Sequence, residues 1–239
     1  MNCSVMRDPH KPRDYFLHRI EIEKVSIADC EARLERGDSR RPDAVIGGIT
    51  DSHITTAKCL FCLGEPIGSL YEPVYDAITV ASKHEFANIL GSWYATVLEM
   101  TSLAILLDLD QSWFEKLATV VDREPKKDRL MENLLSYRLD DRTVDVATSL
   151  FLPSEKYLNA LTLRHTDKQQ AAQQVHSYLE DGWLDSLRWL TADEKIPHES
   201  KVGYFGYWDY VSAAITKLCD LDDSSYRDSP YYPADLMPR

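Results

Sequence analysis

Phe86 to Leu107, FANILGSWYATVLEMTSLAILL, is the most apolar stretch of the 239-residue chain. Its apolar residues recur at spacings of three and four and lie on nearly every side of a helix: Ile89, Leu90, Trp93, Val97, Met100, Leu103, Ala104 and Leu107. A helix that is apolar on all sides is buried in the core of a larger protein. The stretch therefore predicts a central core helix.

Helical periodicity extends over most of the remaining sequence, and no run alternates for the length of a strand. Gly37 indicates a helix C-cap, and Asp110 and Asp167 indicate helix N-caps. Further helices are predicted at about 15–36, 54–63, 69–83, 112–121, 130–138, 157–163, 169–189 and 207–218. The start of the second helix is left undecided, because Gly47-Gly48 weakens any helix there. The sequence predicts an all-α fold, a single compact bundle of roughly eight to ten helices built from two helical halves.

A charged, proline-containing stretch divides the chain: Asp122-Arg123-Glu124-Pro125-Lys126-Lys127-Asp128. Such composition is typical of boundaries between structural units. It predicts an N-terminal half, residues 1–125, and a C-terminal half, residues 126–239.

The net charge of −12 is unevenly distributed. Residues 1–43 hold nine acids and nine bases, whereas residues 44–239 hold thirty acids and eighteen bases. An acidic surface repels nucleic acid and anionic membranes and attracts basic partners. We therefore expect neither nucleic acid nor membrane as a partner.

The sequence also predicts a cytoplasmic protein. No apolar run reaches the roughly 18 residues of a membrane span. Charged residues from Arg7 to Arg13 interrupt any apolar core of a secretory signal. The five cysteines have no framework spacing and are expected to be free thiols.

Motifs for catalysis are scarce. The pair Cys59 and Cys62 lacks the second pair or two histidines that complete a zinc site, although His53 lies six residues upstream. The triplet Asp193-Glu194-Lys195 lies in a predicted loop, where a nuclease motif needs a strand. The sequence predicts no enzyme, no metal and no cofactor. A small metal-dependent hydrolase using Cys59, Cys62 and His53 stays open as an alternative.

The C-terminal segment is dense in aromatic residues, glycine, proline and acids. Tyr204, Tyr207 and Trp208 continue at helical spacing to Val211 and are expected to line an apolar seam. Asp222 or Asp223 is expected to cap a short turn through the following serines. These features predict a tail that seals the core.

This segment resembles the C-terminal domain of the PoNe immunity proteins (PoNi). The resemblance is carried by Tyr204-Phe205-Gly206-Tyr207-Trp208, Ala213-Ala214, Asp222-Asp223-Ser224-Ser225 and Tyr231-Tyr232-Pro233-Ala234-Asp235-Leu236. The motif residues expected to be mainly structural are Tyr204, Gly206, Tyr207, Trp208, Tyr231, Tyr232, Pro233 and Asp235. The family commonly has a glutamate just after Gly-Tyr-Trp, and Asp209 is expected to stand in for it.

The resemblance implies an immunity protein that binds and neutralises a DNase toxin of the PD-(D/E)xK type, delivered by the type VI secretion system. An acidic surface blocking the basic DNA-binding site is the expected mechanism. The predicted toxin contacts lie at helix ends and loops: Asp108, Asp110, Asp140, Asp141, Asp145, Asp222 and Asp223. The alternative is a helical protein–protein adaptor without enzymatic activity, which predicts that Trp208 and Tyr232 are exposed.

Overall fold

The computed structural model describes residues 5–83, 93–142, 144, 155–190 and 203–238, with the side chains of 188–190 excepted. Within these residues the protein is all-α, as predicted, and contains no strand. The ten α-helices are α1 Arg13–Arg36, α2 Pro42–Cys62, α3 Tyr71–Lys83, α4 Tyr94–Leu106, α5 Gln111–Val121, α6 Arg129–Leu135, α7 Glu155–Leu163, α8 Lys168–Asp181, α9 Trp183–Leu190 and α10 Tyr210–Cys219. Short 3₁₀ helices span Ile67–Leu70 and Ala234–Leu236. None of these helices is both long and apolar enough for a membrane span.

The chain forms two compact units. Unit 1 comprises residues 1–100 with 197–206, and unit 2 comprises residues 101–196 with 207–239. The division falls inside α4, between Met100 and Thr101. The boundary at residue 125 drawn from the charged stretch stays a prediction.

Helix α4 is the core helix that the apolar stretch predicted. Its described residues are all buried except Ala95 and Glu99, which are half-buried. The part of the stretch from 86 to 92 lies outside the described residues. A helix so uniformly apolar is stabilised by burial rather than by propensity.

In unit 1, α2 packs against α1 and α3. Helix α1 buries Phe16 and Ile20 and ends at Gly37, whose φ of 68° is the left-handed conformation that glycine adopts without strain. Helix α2 begins at Pro42, twelve residues before Ile54, the first residue of the predicted range, whose start the glycine pair left undecided. The helix continues through the two glycines because Gly47 serves packing. A Cβ atom there would lie 2.3 Å from the Trp93 ring.

The two adjacent glycines of α2 provide a direct test of this packing role. Gly47→Ala is expected to lower the free energy of unfolding by about 1–3 kcal/mol, since Trp93 must shift. At Gly48, by contrast, an added Cβ would have no neighbouring atom within 4 Å. Gly48→Ala is therefore expected to stabilise by about 0.5–1 kcal/mol through helix propensity. Urea denaturation of both variants measures the difference, and two effects of equal sign would contradict the packing explanation.

In unit 2, α10 packs against α6, α7 and α8, and α5 packs against α6. Helix α10 is buried along most of its length, including Val211, Ala213, Ala214 and Ile215. The predicted helix 169–189 is two helices, α8 and α9, that meet at Gly182. Its predicted apolar series is nevertheless buried: Val175, Leu179, Trp183 and Leu187.

Candidate functional site

The predicted contact aspartates fall into two regions of unit 2. The first region, around α5 and the segment after α6, contains Asp108, Asp110, Asp140 and Asp141. The second region, the turn after α10, contains Asp222 and Asp223. Asp145 lies outside the described residues.

Asp108 follows α4 and has a φ of 56°. Its carboxylate accepts hydrogen bonds from the Tyr137 hydroxyl at 2.7 Å and from Arg138 at 2.5 Å, and Lys217 Nζ lies 3.7 Å away. The Tyr137 hydrogen bond is the main cause that lowers the pKa of Asp108. Burial is the main cause that raises the pKa of Tyr137 to about 12, and the hydrogen bond to Asp108 is the second cause. Asp108 is exposed, yet it already holds three internal partners.

Asp110 is the predicted N-cap of α5. Its carboxylate accepts from the Ser112 N–H at 3.0 Å and from the Ser112 hydroxyl at 2.6 Å. The hydroxyl contact is the main cause that lowers the pKa of Asp110. The prediction of a cap is therefore confirmed, and the side chain remains exposed.

Asp140 and Asp141 line an open concavity of about 540 Å³ between α5 and residues 138–142, called here the α5 concavity. Both side chains are exposed, and no ion pair joins either of them to the described residues. Glu115 and Asp122 add two further acids to the lining, against Arg138 and Arg142. Four acids facing two arginines give the described lining an excess of negative charge.

Arg142 binds two acids that the sequence did not connect. Its guanidinium donates to both oxygens of Asp122, each at 2.9 Å, and to both oxygens of Glu132, at 2.7 and 2.8 Å. Asp122 caps the end of α5, and Glu132 is buried in α6. Lys127 Nζ also contacts Asp122 and lies 3.7 Å from Glu132. The Asp122 hydrogen bond is the main cause that raises the pKa of Arg142.

The two aspartates of the Asp-Asp-Ser-Ser turn have different roles. Asp222 is exposed and accepts from the Ser224 N–H at 3.0 Å, which confirms the predicted cap. Asp223 is half-buried and pairs with Arg227 at 2.8 Å. It also accepts from the Tyr232 hydroxyl at 3.2 Å. Asp222 is therefore available to a partner, whereas Asp223 holds Arg227 and Tyr232 of the C-terminal tail in place.

The turn forms one wall of a second concavity of about 730 Å³, the α8 concavity, whose other wall is the polar face of α8. Lys168 at the start of α8 pairs with Asp220 across it at 2.7 Å. Asp222, Ser224 and Ser225 complete the turn side. The lining is mixed in charge, so it is less acidic than the α5 concavity.

In unit 1, the motif residue Tyr204 is fully buried. Its hydroxyl donates to Asp8 at 2.5 Å, and its ring lies 6.1 Å from that of Phe16. Gly206 has a φ of 98°, which permits a turn that other residues would strain to form. The predicted helical seam from Tyr204 to Val211 was wrong, because residues 204–209 are not helical and α10 begins at Tyr210.

The remaining motif residues belong to unit 2. The Tyr207 carbonyl accepts from the Trp183 indole at 2.6 Å, and the Tyr207 ring packs edge-on against Tyr231. Trp208 is half-buried, Asp235 is exposed, and Tyr232 and Pro233 are buried. The mainly structural role expected for the motif residues stays a prediction.

Asp209, which the resemblance suggested as a stand-in for the family glutamate, is completely buried. It caps α10 by accepting from the Ser212 N–H at 3.0 Å and from the Ser212 hydroxyl. It also accepts from the Tyr157 hydroxyl at 2.8 and 2.9 Å. Its own N–H donates to the Tyr231 carbonyl at 2.8 Å. One residue thus joins α7, α10 and the tail.

The cysteine pair lies in the core of unit 1. Cys59 and Cys62 are fully buried in α2, and burial raises the pKa of the Cys59 thiol to about 12. The Cys62 thiol contacts the Phe205 carbonyl oxygen at 3.4 Å. No group of three or more potential metal ligands occurs in the part of the chain that the structure describes. The triplet 193–195 lies outside that part.

Comparison with known proteins identifies the C-terminal region. Residues 126–236 match the family model of the PoNe immunity proteins (PoNi), C-terminal. The match includes the Tyr-Tyr-Pro motif, Asp209 and the α5 concavity wall from 138 to 142, and it confirms the resemblance found in the sequence.

The fold is shared with a solved structure. The chain is similar over 99% of its length to the crystal structure of protein PA2201 from Pseudomonas aeruginosa, of which it covers 90%, with a TM-score of 0.65 and 16% identity. At this identity the likeness shows the fold alone. No curated protein matches the sequence.

Proposed function

We propose that this PoNi protein binds and neutralises a cognate antibacterial DNase toxin of the PD-(D/E)xK type that the type VI secretion system delivers. The observation that carries the proposal is the PoNi match over residues 126–236. Neutralisation would take place in the cytoplasm, where the toxin meets DNA. The protein acts in this proposal as a binding partner and not as an enzyme.

Electrostatics supports a block of the DNA-binding surface. A nuclease that holds DNA needs basic residues against the phosphates. This chain has a net charge of −12, with the whole excess after residue 43. Opposite charge accelerates association and orients the two proteins before they touch. An acidic immunity protein can therefore reach the basic surface quickly and exclude DNA from it.

The predicted contact residues differ in how free their carboxylates are to bind a partner protein. Asp140 and Asp141 are exposed on the α5 concavity without internal ion pairs among the described residues. Asp110 and Asp222 are exposed caps, and either can accept a further hydrogen bond. Asp108 and Asp223 already hold internal partners. We propose Asp140 and Asp141 as the main charged contacts, and Asp145 stays a predicted contact.

Co-expression with the candidate nuclease domain tests the function. The two proteins are expected to co-purify in a 1:1 complex, and the complex is expected to leave plasmid DNA intact. A nuclease that stays active beside excess immunity protein would contradict the proposal. The adaptor alternative predicts that Trp208 and Tyr232 are both exposed, whereas Trp208 is half-buried and Tyr232 is 2% exposed.

A double charge reversal tests the contact surface. Asp140→Lys/Asp141→Lys is expected to weaken nuclease binding about 10- to 100-fold at low salt, mostly by slowing association. The effect should shrink as salt rises, because screening weakens charge steering. Asp29→Lys/Glu31→Lys on the exposed face of α1 changes the net charge equally and is the matched control. Equal losses in both variants would show that net charge alone matters and would contradict a contact at the α5 concavity.

A further inference from the structure

Unit 2 contains a buried carboxylate that has no cationic partner among the residues that the structure describes. The Asp209 side chain is 0% exposed, and the donors to it are neutral: the hydroxyls of Tyr157 and Ser212 and the backbone N–H groups of Val211 and Ser212. No lysine, arginine or histidine among the described residues pairs with it. A buried charge that lacks an opposite charge is strongly disfavoured relative to its neutral form.

The titratable groups that face Asp209 are phenols rather than cations. Helix α7 contributes Tyr157, and α8 contributes Tyr178, whose ring centroid lies 4.5 Å from that of Tyr157. Negative charge on Asp209 adds to burial in raising the pKa of both phenols. Helix α10 contributes the Ser212 hydroxyl, and the tail contributes the Tyr231 carbonyl. None of these groups balances the carboxylate charge.

The same surroundings can accommodate a proton on Asp209. A hydroxyl group both donates and accepts, so Tyr157 or Ser212 can rotate and accept from a protonated carboxyl group. The Ser212 N–H can still donate to the other oxygen. The buried site can thus hydrogen-bond the neutral form without burying a charge.

The pKa direction agrees with this geometry. Burial is the largest cause, and it raises the pKa of Asp209 from 3.8 to about 6 despite the hydrogen bonds from Ser212 and Tyr157. Because the folded pKa lies above the unfolded value, the stabilisation from this group is fully present below about pH 4. It is lost as the pH rises through about 6. Any local opening that exposes the Asp209 carboxylate to water therefore becomes more favourable as the pH rises towards neutral.

We propose that Asp209 is a pH-sensitive latch that fastens the tail, through Tyr231, to α7 and α10. The latch holds most tightly in mild acid and opens more often at neutral pH. Opening separates the Asp209 N–H from the Tyr231 carbonyl and hydrates the carboxylate. This property belongs to the PoNi domain by itself and does not depend on which toxin it binds.

Hydrogen exchange of the full chain tests the latch. The protection of the Asp209 amide, corrected for the intrinsic exchange rate, is expected to fall about 50-fold between pH 4 and pH 7 relative to Asp209→Asn. Asp167→Asn, at the exposed N-cap of α8, is the matched control and should follow the wild-type profile. Parallel profiles in the wild type and Asp209→Asn would overturn the proposal.

A second variant keeps the test decisive if Asp209→Asn does not fold. Tyr157→Phe retains the carboxylate and removes a donor that lowers its pKa. The midpoint of the pH-dependent opening is therefore expected to move upward from about pH 6. A merely structural contact would change the extent of opening at every pH but leave the midpoint in place, and that result would overturn the proposal.

Discussion

Replacing Arg142 with leucine is expected to lower the free energy of unfolding by about 3–5 kcal/mol. The guanidinium makes four hydrogen bonds to Asp122 and Glu132, and the Glu132 side chain is only 2% exposed. Leucine would leave the Glu132 carboxylate buried, with only Lys127 at 3.7 Å to offset its charge. Urea denaturation measures the loss.

The matched control lies four residues earlier. Arg138 pairs with Asp108 in a partly exposed position, and exposed pairs contribute about 1 kcal/mol or less. Arg138→Leu is therefore expected to be clearly milder. Adding Glu132→Gln to Arg142→Leu removes the stranded charge and should recover roughly 2 kcal/mol. The network of Arg142, Asp122 and Glu132 would be unimportant for stability if Arg142→Leu lowered the free energy of unfolding no more than Arg138→Leu.

The same network connects stability with the proposed contact surface. Arg142 directly follows Asp140 and Asp141, and its bonds fix this segment against α5 and α6. Rigid contact groups bind more tightly because less conformational freedom is lost on association. Arg142→Leu should therefore weaken both folding and binding, whereas reversal of Asp140 and Asp141 should affect binding alone.

Local signals in the sequence predicted the helices well. Asp110, Asp167 and Gly37 are the caps that the sequence indicated, because each acts on backbone groups within a few residues. The apolar pattern of α4 predicted its burial in the same way. The caps and the burial of α4 depend on residues that are near one another in the sequence, so they can be predicted from the sequence alone.

Predictions failed where distant residues decide the conformation. Gly47 is a residue that weakens a helix, yet in α2 it accommodates the Trp93 ring from a distant part of the sequence. The sequence predicted a helix from Tyr207, but α10 begins at Tyr210, with Asp209 as its N-cap. The partner that fixes Asp209, Tyr157, lies 52 residues away and gives no signal in the local sequence.

The candidate site was partly accessible from sequence. Asp140 and Asp141, chosen because they lie at helix ends, are exposed, since short connections after helices lie at the surface. It did not separate Asp222, which faces solvent, from its neighbour Asp223, which pairs with Arg227. Adjacent residues of one turn point in different directions, and only the packing of the tail decides which one is available.

Gly64→Ala is expected to lower the free energy of unfolding by about 3 kcal/mol or more. Gly64 follows α2 with a φ of 75°, and an alanine Cβ there would lie 1.9 Å from the Val5 carbonyl oxygen. The obstacle is backbone, which cannot rotate away as a side chain can. This backbone is held in place, since the Arg7 and Asp8 N–H groups both donate to the Cys62 carbonyl, at 3.0 and 3.2 Å.

Gly37→Ala separates the two contributions to the loss in Gly64→Ala, which are the strain of the left-handed conformation and the clash with the Val5 backbone. Gly37 has a similar φ of 68°, but no atom lies within 4 Å of its added Cβ. Its substitution measures the strain of the left-handed conformation alone, about 1 kcal/mol. The excess loss in Gly64→Ala then measures how firmly residues 5–8 are fastened to the end of α2. Equal losses in the two variants would mean that this N-terminal segment moves aside freely and contributes little to the stability of unit 1.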